Sequence, residues 1–138
     1  KYMYIINNSP CRSALNATKE YHFKYEVDYK KIKKAAEYFE GTHDFKGFMS
    51  SGSSIKDTVR TIHKLQIKKR EDDRIIINIS GDGFLYNMVR IITGTLVYVG
   101  NGKLCAEDIK KLIEKKDRRL LGITAPPQGL SLVEVNYE

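Results

Sequence analysis

The chain has 138 residues, 41% hydrophobic and 30% charged, a balance that supports one sizeable core and argues against a disordered chain. Basic residues outnumber acidic ones 24 to 17, a net charge of +7, which predicts an anionic partner such as nucleic acid. No apolar run approaches the ~20 residues of a membrane helix.

The expected elements follow in chain order. Tyr2 to Ile6 alternates aromatic and apolar residues and reads as a strand, ended by the turn residues Asn7-Asn8-Ser9-Pro10. Because the chain opens on strand-like residues and Lys1 is not Met, the sequence is read as a piece of a longer protein. Tyr21, Phe23, Tyr25 and Val27 fall at period two and predict a half-buried strand. Ile32, Ala35, Ala36 and Phe39 then mark one helical face, with Asp28 as N-cap and Gly41 as the C-terminal stop. Residues 42–57 form a Gly/Ser-rich connection whose Phe45 and Phe48 predict that it packs. Val59 to Lys69 and Arg74 to Ile79 predict a hairpin bent at Glu71-Asp72-Asp73, with Leu65, Ile67, Ile75 and Ile77 on its buried face.

Gly81-Asp82-Gly83 is a sharp turn launching a buried helix over 84–99, with Leu85, Met88, Val89, Ile92, Leu96 and Val99 as its stripe. Gly100-Asn101-Gly102 ends it. A second amphipathic helix is expected from Ala106 to Lys115, facing inward with Ile109, Leu112 and Ile113. Pro126-Pro127 leads into a last strand carrying Leu130, Leu132, Val133 and Val135 before Tyr137. With no repeat and no inner boundary, residues 1–138 read as one domain. Paired strands interrupted by helices predict an α+β fold with a largely antiparallel sheet and helices on one face.

Arg90 is the most informative residue. It stands inside an apolar helix, Met88-Val89-Arg90-Ile91-Ile92, where a charge is costly unless paired. Either it pairs with a buried carboxylate or a phosphate, or it snorkels at the helix rim. Gly94, one turn on, costs about 1 kcal/mol relative to Ala in a helix and hints at a close approach. Tyr2 and Tyr4 share a strand face, as base-stacking or as core residues. His22, His43 and His63 lack ligand spacing, so no metal site is expected. Ser50 to Ser54 contains no nucleophile elbow, and no phosphate-binding loop is present. Cys11 and Cys105 show neither metal nor redox spacing; a disulfide stays open, and two reduced thiols in a cytoplasmic protein fit a domain with this much core. Lys30-Lys31, Lys33-Lys34, Lys68-Lys69-Arg70, Lys115-Lys116 and Arg118-Arg119 are solvated faces, some of which can track phosphates.

Five blocks in order carry a family resemblance. Phe84-Leu85-Tyr86-Asn87-Met88-Val89-Arg90-Ile91-Ile92-Thr93-Gly94-Thr95-Leu96 resembles the Arg-bearing helix of the tRNA pseudouridine synthase A (TruA) family, and Ala125 to Tyr137 its closing strand. Gly41-Thr42-His43-Asp44-Phe45 with Phe48, Thr58-Val59-Arg60-Thr61-Ile62, and Tyr2-Met3-Tyr4-Ile5-Ile6 are similar to three more of its blocks. The resemblance implies half of a pseudouridine synthase catalytic fold. It implies isomerisation of uridine to pseudouridine at positions 38 to 40 in the anticodon stem-loop of tRNA, by a homodimer and without metal or cofactor. By the same resemblance Arg90 salt-bridges the nucleophilic Asp, Tyr2 packs on the target base, and Leu130 walls the pocket, with Leu132 as its alternative. The family's Arg-Thr-Asp-x-Gly-Val-His segment is absent, and Asp82 is a turn residue rather than a substitute. The N-terminal part with the catalytic Asp, and the basic residue expected two places before Tyr2, are therefore expected outside this sequence, and the 138 residues alone are expected to be inactive. The competing readings are a non-catalytic basic RNA-binding module and a protein-interaction domain.

Overall fold

The computed structural model describes residues 1–8, 20–52 and 55–133. Its elements are β1 (Tyr2–Asn7), β2 (Tyr21–His22), α1 (Tyr29–Glu37), β3 (Gly41–Asp44), β4 (Val59–Lys69), β5 (Arg74–Gly81), α2 (Met88–Gly100), α3 (Ile109–Lys115) and β6 (Leu130–Leu132). The sheet runs β2-β1-β5-β4-β3, and β6 pairs with β1. Among the described residues only β1–β2 is parallel; the other pairings are antiparallel. The α+β class and the largely antiparallel sheet expected from the sequence are what the chain adopts.

The pleat sorts the core. Tyr4 and Ile6 of β1, Leu65 and Ile67 of β4, and Ile75, Ile77 and Ile79 of β5 are buried in matched register, Tyr4 opposite Ile77 and Ile67 opposite Ile77. Ile75, Ile77 and Ile79 are each 1% exposed, a burial worth about 1.5–3 kcal/mol per side chain. Ile32, Ala35, Ala36 and Phe39 close over this face from α1 and its C-terminal turn. The Asp28 carboxylate caps α1, accepting from the amides of Lys30 and Lys31. On the opposite face, Lys64, Gln66, Lys68, Asn78 and Ser80 surround a shallow depression with Lys1.

Several expectations need correction. The strand expected over 21–27 stops at His22. Phe23 N–H still donates to the Asn7 carbonyl, but the Asn8 side-chain amide then takes the carbonyls of Phe23 and Tyr25, and Tyr25 ends up exposed. Gly41 does not stop α1, which ends at Glu37 with Tyr38 as its cap; it opens β3 at φ +100°, a conformation glycine tolerates without penalty. Nor is the start of the 42–57 connection irregular, since residues 41–44 pair with β4 from Ile62 back to Val59. Its packing was legible: Phe45 and Phe48 are buried and meet edge to face, and Phe48 meets Phe39 in the same way.

The helix expected from Phe84 begins at Met88, because Asn87 sits in the left-handed region at φ +61°. Its C-terminal punctuation is as expected, with Asn101 as cap. The helix from Ala106 divides into a 3₁₀ turn over Ala106–Asp108 and α3. Cys105 is exposed and free; Cys11, Ser9, Pro10, Ser53, Ser54, Val135 and Tyr137 lie outside the described residues.

Candidate active site

Helix α2 is buried nearly all round, and only Arg90 and Tyr98 along it reach partial exposure. What surrounds Arg90 follows from two glycines. A methyl group on Gly94 would meet the Ile123 carbonyl oxygen at 1.7 Å, and one on Gly122 would meet the Gly94 carbonyl oxygen at 2.3 Å. Backbone therefore lies directly on backbone, the close approach that Gly94 foretold. Thr95 fastens the same crossing: its hydroxyl donates to Ile91 O at 2.8 Å and accepts from Gly122 N at 3.1 Å. Arg118 braces the crossing segment from its own side, donating to Gly122 O at 2.6 Å and to Thr124 Oγ1 at 3.0 Å.

That segment delivers Ala125 to Arg90. Ala125 N–H donates to the Arg90 carbonyl at 3.0 Å, and Arg90 Nε donates to Ala125 O at 2.7 Å. The second hold on the guanidinium is Asn87, whose Oδ1 accepts from Arg90 Nη1 at 2.9 Å. Both acceptors are neutral, and no ion pair among the described residues involves Arg90. Arg90 is thus neither a rim residue turned out to water nor paired with a carboxylate of the described chain.

The next residue of the segment reaches β1. Pro126 O accepts from the Tyr4 hydroxyl at 2.6 Å, and the turn Pro127–Gly129 lies against the Tyr4 ring, which a methyl group on Gly129 would touch at 2.6 Å. Tyr4 is fully buried, so of the two tyrosines it is the core residue with a satisfied hydroxyl. Burial pushes that hydroxyl well above the usual tyrosine range, reinforced by Tyr21 and partly offset by the positive charge of Arg90. Tyr2, two residues earlier on the same face, is half-buried and meets Phe84 edge to face at 5.2 Å.

The register of β1 with β6 sets Tyr2 opposite Leu132 and Tyr4 opposite Leu130, and directly opposed residues share a face. Leu130 is half-buried against the core, whereas Leu132 is 57% exposed. The structure therefore places Tyr2, Leu130 and Leu132 side by side, with Arg90 tied to the same strand through Ala125, Pro126 and Tyr4. No group of three or more His, Cys, Asp or Glu among the described residues could hold a metal ion. Asp82 is exposed and accepts from Thr61 N at 2.9 Å, in the turn where the sequence put it. Asn87 was not singled out by sequence reasoning. Its position three residues before Arg90, one helical turn away, was the available signal.

A model of the family described as tRNA pseudouridine synthase matches residues 35–138. The chain belongs to that family. Among curated relatives, the tRNA pseudouridine synthase A of Acetivibrio thermocellus is 51% identical over 137 residues, covering 99% of this chain and 56% of the relative. Its namesakes in Ruminiclostridium cellulolyticum and in Thermoanaerobacter sp. are each 47% identical over the same length, again 99% and 56%. The chain thus spans about half the length of these tRNA pseudouridine synthases, and the family match covers α2, Arg90 and β6.

Proposed function

We propose that this chain is the part of a tRNA pseudouridine synthase that furnishes the Arg and Tyr side of the active site and a share of the RNA-binding surface. The carrying observation is Arg90: a partly buried guanidinium, oriented by two neutral oxygens, with no carboxylate partner among the described residues. Such a cation is stabilised by an anion brought beside it. A nucleophilic carboxylate is held ionised by a nearby positive charge.

In this reading the carboxylate is an Asp from residues outside this sequence, and Arg90 salt-bridges it. Tyr2, braced by Phe84, packs on the flipped uracil, since an aromatic face suits an unpaired base. Leu130 forms a wall of the pocket. It is preferred over Leu132 because its packing against the core fixes it. The reaction returns the base to its sugar through carbon in place of nitrogen. No atoms are gained or lost, so the protein's task is to position, to hold the carboxylate ionised and to exclude water. The substrate is the anticodon stem-loop of tRNA at positions 38 to 40, the site is cytoplasmic, and the intact enzyme is a homodimer. For the RNA surface, Lys33, Lys64, Lys68 and Lys69 line a groove between α1 and β4 and have no ion partner among the described residues. Lys34, Arg70, Lys116 and Arg119 are spent on Glu107, Asp72, Asp44 and Asp117.

The test is turnover on tRNA by the full-length protein. Arg90→Ala should lower it about 10²-fold or more, the scale of removing one charge-stabilising group from an active site, while circular dichroism shows an intact fold. Near-normal turnover contradicts the proposal. The 138-residue chain alone should form no pseudouridine, and detectable product from it would contradict the placement of the nucleophile.

A further inference from the structure

Asn87 occupies an unusual position for the residue before a helix. Its backbone is left-handed at φ +61°, and its side chain makes no capping bond to α2. The amide instead bridges outward. Oδ1 accepts from Arg90 Nη1 at 2.9 Å, and Nδ2 donates to Ser50 Oγ at 3.0 Å. The orientation of the amide is fixed by chemistry, because a guanidinium can only donate. Ser50 is anchored in turn, its N–H donating to Tyr86 O at 3.1 Å, so the loop after Phe48 and the start of α2 are stitched at two points. A neutral oxygen three residues before Arg90 thus aims the guanidinium without neutralising it.

We propose that Asn87 is a positioning residue for the reaction, and that it must be uncharged: its amide, held by Ser50, aims Arg90 while leaving the positive charge to the nucleophilic carboxylate. This rests on the proposed role of Arg90. A carboxylate at position 87 would occupy the same place, still accept from the Ser50 hydroxyl, and take Arg90 as its own ion partner. Aspartate is also tolerated in left-handed backbone, so the substitution changes charge with little change of shape. Glycine removes the amide without straining the backbone.

The experiment compares kcat and KM for tRNA in full-length wild type, Asn87→Asp, Asn87→Gly and Arg90→Ala, with circular dichroism on each. Asn87→Gly should lower kcat about 3- to 10-fold and Asn87→Asp more than 10-fold, both with KM within about two-fold. That order is the signature. A purely structural role predicts the reverse, because Asp preserves the bond to Ser50 and Gly does not. If Arg90→Ala is inactive while Asn87→Asp matches or exceeds Asn87→Gly, the inference about Asn87 is overturned and the reading of Arg90 stands. If Arg90→Ala turns over normally, the underlying reading falls and takes this one with it. Should Asn87→Asp fail to fold, Ser50→Ala carries the test: a two- to five-fold loss in kcat at constant KM supports the proposal, and an unchanged kcat overturns it.

Discussion

Gly94 and Gly122 meet where neither has room for a β carbon, and the position of Arg90 depends on that contact. Because the obstacle at Gly94 is the carbonyl of Ile123 rather than a mobile side chain, Gly94→Ala forces two backbones apart. We expect a loss of about 1–3 kcal/mol or more, from the scale of overpacking, read as a lower urea midpoint. An unchanged midpoint would show that the crossing yields. Tyr4 offers a second check at the same scale. Burial raises its hydroxyl above the ordinary tyrosine value, so the folded state favours the neutral phenol. The resulting stability is complete below pH ~10 and is lost as pH rises through the raised folded value. Tyr4→Phe should therefore flatten the alkaline decline in stability while losing about 1 kcal/mol near neutrality, for the bond to Pro126. An alkaline limb unchanged in the variant would place its cause elsewhere. Arg90 itself was legible as a charge out of place in an apolar run; its two acceptors were not, because one is a carbonyl 35 residues on and nothing in composition marks it.

Helix α1 was the most legible element because cap, stripe and wet face agree. Asp28→Ala should cost about 0.5–2 kcal/mol, the usual value of a lost N-cap, measured by thermal unfolding; no change would mean that the Asp28 bonds carry no weight. Strands were less legible where side chains do not specify them. Residues 41–44 are Gly-Thr-His-Asp, with no alternation to read, and β3 exists because β4 offers partners. Past Ile62, β3 no longer pairs with β4, and side chains of the α1 region take over: the Tyr29 hydroxyl donates to Ile67 O, and Glu40 accepts from Leu65 N. Such capping blunts an edge that would otherwise recruit another strand. Tyr21 to Val27 shows the converse error, alternation without a ladder, because Asn8 takes the carbonyls a longer strand would have offered.

At the scale of the molecule, the charge of +7 is uneven in what it leaves free. Several basic runs close onto acidic neighbours, while the lysines of the α1–β4 groove have no ion partner among the described residues. If that groove tracks phosphates in the full-length protein, replacing both Lys33 and Lys69 by Ala weakens tRNA binding and lowers the slope of log affinity against log salt by roughly 0.7–0.9 per lost contact. An unchanged slope moves the RNA elsewhere. No helix among the described residues is long and apolar enough to cross a membrane. The organisation of the site was legible only in pieces, Tyr2, Arg90 and the Pro126-Pro127 strand, since the register that brings them together arises from pairings between opposite ends of the chain. The decisive measurement is a crystal structure of the full-length protein. It should show an aspartate carboxylate within about 4 Å of the Arg90 guanidinium, facing Tyr2 and Leu130, with Asn87 and Ala125 still holding their bonds. An Arg90 left without a carboxylate there, or paired on the far side from Tyr2, would contradict the account.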